Sequence, residues 1–268
     1  MYRKLFVLGL VLVMLFVVST PARAISYGEP DGTAHPNVGS MVARVGTDYY
    51  QWCSGTLIAP NVFLTASHCT APIDSFLADN PDSEMLVTFD STISASSTFY
   101  TGVWHTNPAY LTARGEDDPG DVAVIVLNEA PGITPASLPT AGLLDQLKAQ
   151  HILKDTMFTT VGYGTVRDTN QKAWQSILDN VNRNRADQEF LSLTNAWITL
   201  SMNLATDNGG TCYGDSGGPH FVHLDGEETD IVVAVTVTGD ANCKATDKDY
   251  RVDTPAARTF LSEFVELP

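Results

Sequence analysis

The sequence predicts an all-β protein, a sandwich or barrel of short strands. Three observations carry this expectation. Apolar, β-branched runs of four to seven residues recur between turn residues, regular helices do not separate them, and no repeat, heptad or low-complexity tract offers another architecture. In chain order the expected strands are Gly39 to Val45, Cys53 to Ile58, Val62 to Thr65, Met85 to Phe89, Val122 to Leu127, Phe158 to Val161, Ile198 to Met202 and Ile231 to Val237. Leu143 to Leu153 has weak helical periodicity. The tail is clearer: Asp253 or Thr254 can cap, Pro255 suits a first helical turn, and Phe260, Leu261, Phe264 and Val265 share one apolar face. Asp168 to Ser192 is polar and irregular and is expected to be a surface segment.

Met1 to Ala24 reads as a signal peptide. Arg3 and Lys4 give a basic start, Leu5 to Val18 is almost unbroken apolar, and Ala22-Arg23-Ala24 supplies small residues at the positions a signal peptidase reads. The apolar run is short of the roughly 20 residues a membrane span needs. The remaining residues, 25–268, suffice for two domains of ordinary size. The formal net charge is −16, and loss of Arg3, Lys4 and Arg23 with no acid makes the mature chain more negative still. Such a surface repels nucleic acid and anionic membranes, so neither is expected as a partner after signal cleavage; the charge keeps an exported protein soluble. Four cysteines in an exported chain point to two disulfides with three possible pairings. No C-x-x-C pair is present, so no metal is expected, and no cofactor either.

One segment dominates the chemistry: Cys212-Tyr213-Gly214-Asp215-Ser216-Gly217-Gly218-Pro219. A serine hydroxyl becomes a useful nucleophile only when a base removes its proton and fixed donors receive the oxyanion it creates. The glycines around Ser216 let backbone N–H groups turn into one small concavity. Upstream lie Thr65-Ala66-Ser67-His68-Cys69, and Asp121 at the head of the apolar run to Leu127, giving the order His, Asp, Ser. Taken together these motifs resemble the chymotrypsin-like (trypsin-fold) secreted serine endopeptidases, over nearly the whole chain after its first two dozen residues.

The resemblance implies two six-stranded antiparallel β-barrels with the active site between them and a C-terminal helix. The N-terminal barrel (25–145) would hold His68 and Asp121, and the C-terminal barrel (146–268) Ser216. It implies a catalytic triad of His68, Asp121 and Ser216, and an oxyanion hole of the Gly214 and Ser216 N–H groups. The pairings Cys53–Cys69 and Cys212–Cys243 follow from it, each worth roughly 3 to 4 kcal/mol on the chain-entropy model. Ile25 would be the new N-terminus, its ammonium pairing with Asp215 in an activation ion pair. Gly162-Tyr163-Gly164 and His105-Thr106-Asn107-Pro108-Ala109-Tyr110 resemble other recurrent segments of the family, with His105 structural. Substrates would be proteins or peptides, and the enzyme a monomer.

Two departures stand out. The family serine that supports the catalytic aspartate falls at Val237, leaving Thr236 or Thr238 as replacements. The substrate pocket would be formed by Gly210, Thr211, Thr238 and Gly239, and the aspartate that holds basic side chains in trypsin-like members is Gly210 here. An apolar or aromatic residue is therefore expected before the cleaved bond, with Asp247-Lys248-Asp249-Tyr250 as a solvated loop. Lys248 turned inward would favour acidic residues, and Asp247 or Asp249 turned inward basic ones. A non-catalytic binding protein on the same fold is the alternative function. An esterase of the G-x-S-x-G type does not fit the motif or the residue order.

Overall fold

The structure is a computed structural model of the chain, and it describes residues 25–112, 117–167 and 177–268. The proposed leader, residues 1–24, lies outside the described residues. Strand β1 (Glu29–Pro30) precedes a six-stranded sheet built from β2 (Val38–Val45), β3 (Asp48–Ala59), β4 (Val62–Thr65), β5 (Ser83–Thr88), β6 (Gly102–Thr106) and β7 (Ala123–Leu127), in the order β5-β2-β3-β4-β7-β6. The sheet curls until Val87, in its first edge strand β5, bridges to Tyr100, just ahead of its last strand β6.

The second sheet uses β8 (Met157–Gly162), β11 (Asn184–Leu193), β12 (Trp197–Ser201), β13 (Pro219–Leu224), β14 (Glu227–Gly239) and β15 (Thr246–Arg251), with a two-stranded ribbon of β9 (Val166–Arg167) and β10 (Ile177–Leu178) beside it. β8 pairs with both β13 and β11, which closes these six strands into a barrel, and β1 adds to its β11 edge. All ladders between strands are antiparallel.

The strands expected from apolar runs are present, with ends shifted by a few residues. Two expectations fail for a common reason. Part of the segment expected to be irregular surface is β11, ten residues long, with Asn184, Ala186 and Gln188 buried; residues 168–176 of that segment lie outside the described residues. The expected solvated loop at Asp247 to Tyr250 is β15, with Asp247 and Asp249 at 0% exposure. The second barrel encloses polar side chains, so hydrophobic alternation does not mark these strands. Helices are short. Leu143–Ala149 and Pro255–Leu261 occur where expected, and the Thr254 side chain accepts from Ala257 N to cap the latter.

One apolar cluster crosses between the sheets, joining Val42, Leu64 and Val122 to Val161, Val235 and Phe260. The tail crosses as well: Phe264 packs on the His105 ring, centroids 4.9 Å apart. A polar clamp does the same on another side. Arg183 Nε donates to Asp31 Oδ2 at 2.7 Å and its Nη1 to the carbonyls of Val38 and Phe89, while His35 bridges Asp31 and Glu228 Oε1 (2.6 Å) with its ring stacked on Phe221.

Burial by itself would lower the His35 pKa, but hydrogen bonds and charge from Asp31 and Glu228 outweigh it and raise the ring to about 9. A raised histidine contributes stability that is complete below its unfolded value of about 6.5 and lost as pH climbs through about 9. His35→Gln is therefore expected to lower the unfolding temperature more at pH 6 than at pH 9.5. Equal losses at the two pH values, measured by thermal unfolding, would contradict the clamp.

Candidate active site

His68 sits where β4 turns into a one-turn helix, Ser67–Thr70. Ser67 Oγ donates to Val122 O (2.8 Å) and accepts from Asn107 N (3.2 Å), tying that turn to the segment carrying Asp121. Asp121 is 4% exposed and grips the histidine twice: His68 N donates to Oδ1 and Nδ1 to Oδ2, both at 2.9 Å. A carboxylate only accepts, so Nδ1 carries a proton, and the neutral tautomer this selects has its lone pair on Nε2. Gly120 permits this approach, with φ +67° and an added Cβ only 2.9 Å from Ala109 Cβ. The disulfide Cys53–Cys69 anchors the turn to β3.

Ser216 arrives from the other barrel, on the loop between β12 and β13. Its carbonyl accepts from Ser54 N at 2.9 Å, and Cys69 Sγ, next to His68 in the chain, lies 3.7 Å from the same oxygen. A Cβ at Gly217 would sit 2.1 Å from Thr65 Oγ1, so only glycine lets the loop press against the first barrel. Ser216 Oγ and His68 Nε2 do not hydrogen-bond in this structure; such bonds are often long without substrate.

The loop amides divide into two sets. Those of Asp215, Gly217 and Gly218 are spent on Cys212 O, Thr236 O and Asp215 O. Among the described residues those of Gly214 and Ser216 have no acceptor. Gly214 is held at φ +95°, and its carbonyl is engaged by Gln51 Nε2 (2.7 Å) and Ser54 Oγ (3.1 Å). Two free N–H groups flanking a serine are what a developing oxyanion needs.

Asp215 points the other way, into protein. It is 0% exposed, with Oδ1 accepting from Gly164 N (2.7 Å) and Oδ2 from Cys212 N (2.9 Å). A Cβ at Gly162 or Gly164 would fall 2.2 or 2.5 Å from this carboxylate, which explains the Gly-Tyr-Gly motif. Ile25 is also fully buried, and the next residue, Ser26, pairs with Gly210 just ahead of this loop (Gly210 N to Ser26 O, 2.9 Å).

Beside Ser216 opens a pocket of about 280 Å³ whose walls include Thr211, Val237, Thr238 and Gly239. The disulfide Cys212–Cys243 lies in its rim. Gly210 does not line it; it packs toward Gln188 and Met202. Behind Thr211 lies a fully buried polar group that no sequence motif announces. Thr211 Oγ1 donates to Asp247 Oδ1 (2.6 Å), Gln188 Nε2 donates to Asp247 Oδ2 (3.1 Å), and His220 Nε2 lies 2.9 Å from Asp249 Oδ1 and 3.0 Å from Thr236 Oγ1. Burial first, and then Asp249, push Asp247 up to about 7; burial drives Asp249 well up and lowers His220. Thr236 is thus occupied with His220, and among the described residues the Asp121 carboxylate receives hydrogen bonds from His68 alone.

A curled sheet and a closed barrel, with an aspartate-held histidine on one and a serine flanked by free amides on the other, define the two-barrel serine peptidases. The comparisons agree. A family model described as Trypsin matches residues 29–261. A trypsin of Saccharopolyspora erythraea is 35% identical over 189 residues, covering 68% of this chain and 75% of that protein. Chymotrypsin-like elastase family member 1 of Macaca fascicularis is 26% identical over 226 residues, 78% of this chain and 76% of that one. A solved structure titled HL collagenase superposes with a TM-score of 0.63 at 17% identity, covering 90% of this chain and 99% of that chain, and speaks to the fold. The chain belongs to the trypsin family and is a serine-type endopeptidase.

Burial and, further down, the charge of Asp247 raise Asp215 to about 7, against the two backbone hydrogen bonds that lower it. A raised carboxyl holds its proton more tightly when folded, so its contribution is complete below the ordinary value near 3.8 and is lost as pH rises through about 7. In the full-length chain, stability is therefore expected to fall between pH 4 and 7, and Asp215→Asn to make that slope shallower. Denaturant titrations across this range test it, and an unchanged slope would refute it.

Proposed function

We propose that the protein is a secreted endopeptidase that hydrolyses peptide bonds through an acyl-enzyme on Ser216, with His68 as base and Asp121 orienting it. The observation that supports this best is the double grip of Asp121 on His68 N and Nδ1, because it leaves Nε2 as the group that can take a proton. Ser216 Oγ attacks the scissile carbonyl as His68 takes its proton, and the oxyanion is received by the Gly214 and Ser216 amides. Collapse breaks the C–N bond, and His68 returns the proton to the leaving amine. Water then repeats the sequence on the ester and regenerates the serine. Losing one oxyanion donor typically costs about 3 kcal/mol of transition-state stabilisation.

Secretion is read from the 1–24 leader and is supported by the two disulfides, which persist in oxidising compartments. No described helix is long and apolar enough to cross a membrane. The mature enzyme would comprise an N-terminal unit, 25–145, and a C-terminal unit, 146–268. It would act as a monomer on protein or peptide substrates, without nucleic acid or membrane partners.

A labelled phosphonofluoridate is expected to react with the processed wild type and not with Ser216→Ala. Turnover should fall by several orders of magnitude in His68→Ala, in Ser216→Ala and in the double variant alike, because the groups act as one unit. An unlabelled wild type would leave the non-catalytic binding protein as the better reading.

Activation is expected to follow cleavage after Ala24. The buried Asp215 carboxylate has no cationic partner among the described residues, and the Ser26–Gly210 pairing supports Ile25 as the residue that supplies one. Breaking such a buried pair from one side costs about 3 to 5 kcal/mol. A chain beginning at Ile25 should be active, and chains beginning at Ala24 or carrying Asp215→Asn poorly so. Full activity in either, by peptide hydrolysis normalised to phosphonofluoridate labelling, would refute the ion pair.

A further inference from the structure

We infer that His220, Asp247 and Asp249 hold a divalent transition-metal ion of the zinc type, which ties together the strands of the second barrel from inside. The lack of a C-x-x-C pair excludes cysteine-based sites only, and this donor set contains no cysteine.

Three observations converge. The first is placement. His220 is on β13, and Asp247 and Asp249 are two residues apart on β15, so they share one face of that strand. β14 lies between these strands and contributes Thr236. One nitrogen of His220 and one oxygen of each acid lie within 4.8 Å of one another, and all three residues are at 0% exposure.

The second is a set of contacts that hydrogen bonding does not explain. His220 Nε2 lies 2.9 Å from Asp249 Oδ1, yet neither Asp249 oxygen receives an aligned hydrogen bond. Nε2 hydrogen-bonds instead with Thr236 Oγ1, 3.0 Å away, and Asp247 Oδ2 is 4.0 Å from the same nitrogen. Separations of about 3 to 4 Å are those of neighbouring ligands around one cation that each approaches to about 2.0 to 2.2 Å. Without a cation, a buried carboxylate that accepts nothing is among the costliest groups a core can hold.

The third is charge and orientation. One divalent ion balances two carboxylates around a neutral imidazole, whereas a lone imidazolium leaves a net negative charge in a dry interior. Lys248, between the acids in sequence, points away and lies over the Trp197 ring, 4.4 Å from its centroid. Thr211 Oγ1 and Gln188 Nε2 donate to the two oxygens of Asp247, the kind of support that orients a ligating carboxylate. An imidazole nitrogen among oxygens suits zinc and its neighbours better than calcium or magnesium, which take oxygen ligands. Full burial of the three ligands makes the ion structural, taken up as the chain folds. Asp187, His223 and Glu228 form another set of ligand types, but the Thr159 hydroxyl lies 2.7 to 2.8 Å from an atom of each and fills the place of an ion. They serve as a control.

The test uses the Ser216→Ala chain, so that self-digestion does not consume the sample, and its result does not depend on Ser216 being the nucleophile. The protein is produced in zinc-supplemented medium, dialysed against EDTA and subjected to elemental analysis. About one equivalent of zinc should survive dialysis and leave only when guanidinium unfolds the chain in EDTA. X-ray absorption should show one imidazole and oxygen neighbours at about 2.0 to 2.2 Å, with no sulfur. Adding Asp249→Asn or His220→Gln should lower the retained zinc by about tenfold or more, and adding His223→Gln should leave it unchanged. A dialysed protein without a divalent metal overturns the inference and leaves a proton as what compensates the two acids. Zinc that persists in Asp249→Asn, zinc lost in His223→Gln, or a metal shell with sulfur or a second imidazole overturns it as well. Should Asp249→Asn and His220→Gln fail to fold, the metal content and absorption spectrum of the parent protein decide.

Discussion

The candidate site depends on one seam, where the loop Gly214–Gly218 lies directly on the first sheet. Ser54 N holds Ser216 O, Gln51 and Ser54 hold Gly214 O, and Gly217 sits where any side chain would collide with Thr65 Oγ1. The peptides that carry the Gly214 and Ser216 N–H groups are fixed through their own carbonyls, Tyr213 O accepting from Thr165 N and Asp215 O from Gly218 N, while the contacts to Ser54 and Gln51 hold the neighbouring peptides against the first sheet. The same seam brings the serine beside the Ser67–Thr70 turn that presents His68. Backbone packing, and not the side chains that do chemistry, sets the geometry here. That is why the glycines cannot be exchanged for alanine without moving one barrel against the other.

The second barrel is organised by a different constraint. Its interior contains Gln188, His220, Asp247 and Asp249 beside apolar Val222, Val233 and Ala234. Burying such groups opposes folding unless they satisfy one another, and several of their atoms do not. Incomplete satisfaction inside a core is uncommon and concentrates at functional sites. Here it lies behind Thr211, a residue of the pocket wall, and away from the outer surface.

Legibility followed the same division. The first sheet could be read strand by strand because its core is apolar: Val62–Thr65 was marked to the residue, and Val38–Val45 and Ala123–Leu127 to within one. The apolar face and cap of Pro255–Leu261 were legible for the same reason. Serine, histidine and aspartate were visible through local motifs, since close backbone approach demands glycine at fixed offsets. β11 and β15 were not legible. Their inward positions hold Asn184, Gln188, Asp247 and Asp249, which read as surface until the barrel is seen to turn them inward together. Gln51, Ser54 and Thr65 act only across the seam, so no spacing within the chain announces them.

Asp215 and Asp247 pose the same electrostatic problem. Both are fully buried, both are pushed up to about 7, chiefly by burial, and the charge of Asp247 contributes to the shift at Asp215. Each is oriented by donors that favour its ionised form, yet neither has a strong cation of its own among the described residues. For Asp215 the proposed partner is the ammonium that cleavage ahead of the buried Ile25 would create. For Asp247 the neighbours are the donors of Thr211 and Gln188, the second acid Asp249 and the His220 ring, 4.0 Å from Oδ2. Because the two carboxylates repel, an ammonium beside Asp215 lowers the electrostatic cost of ionising Asp247.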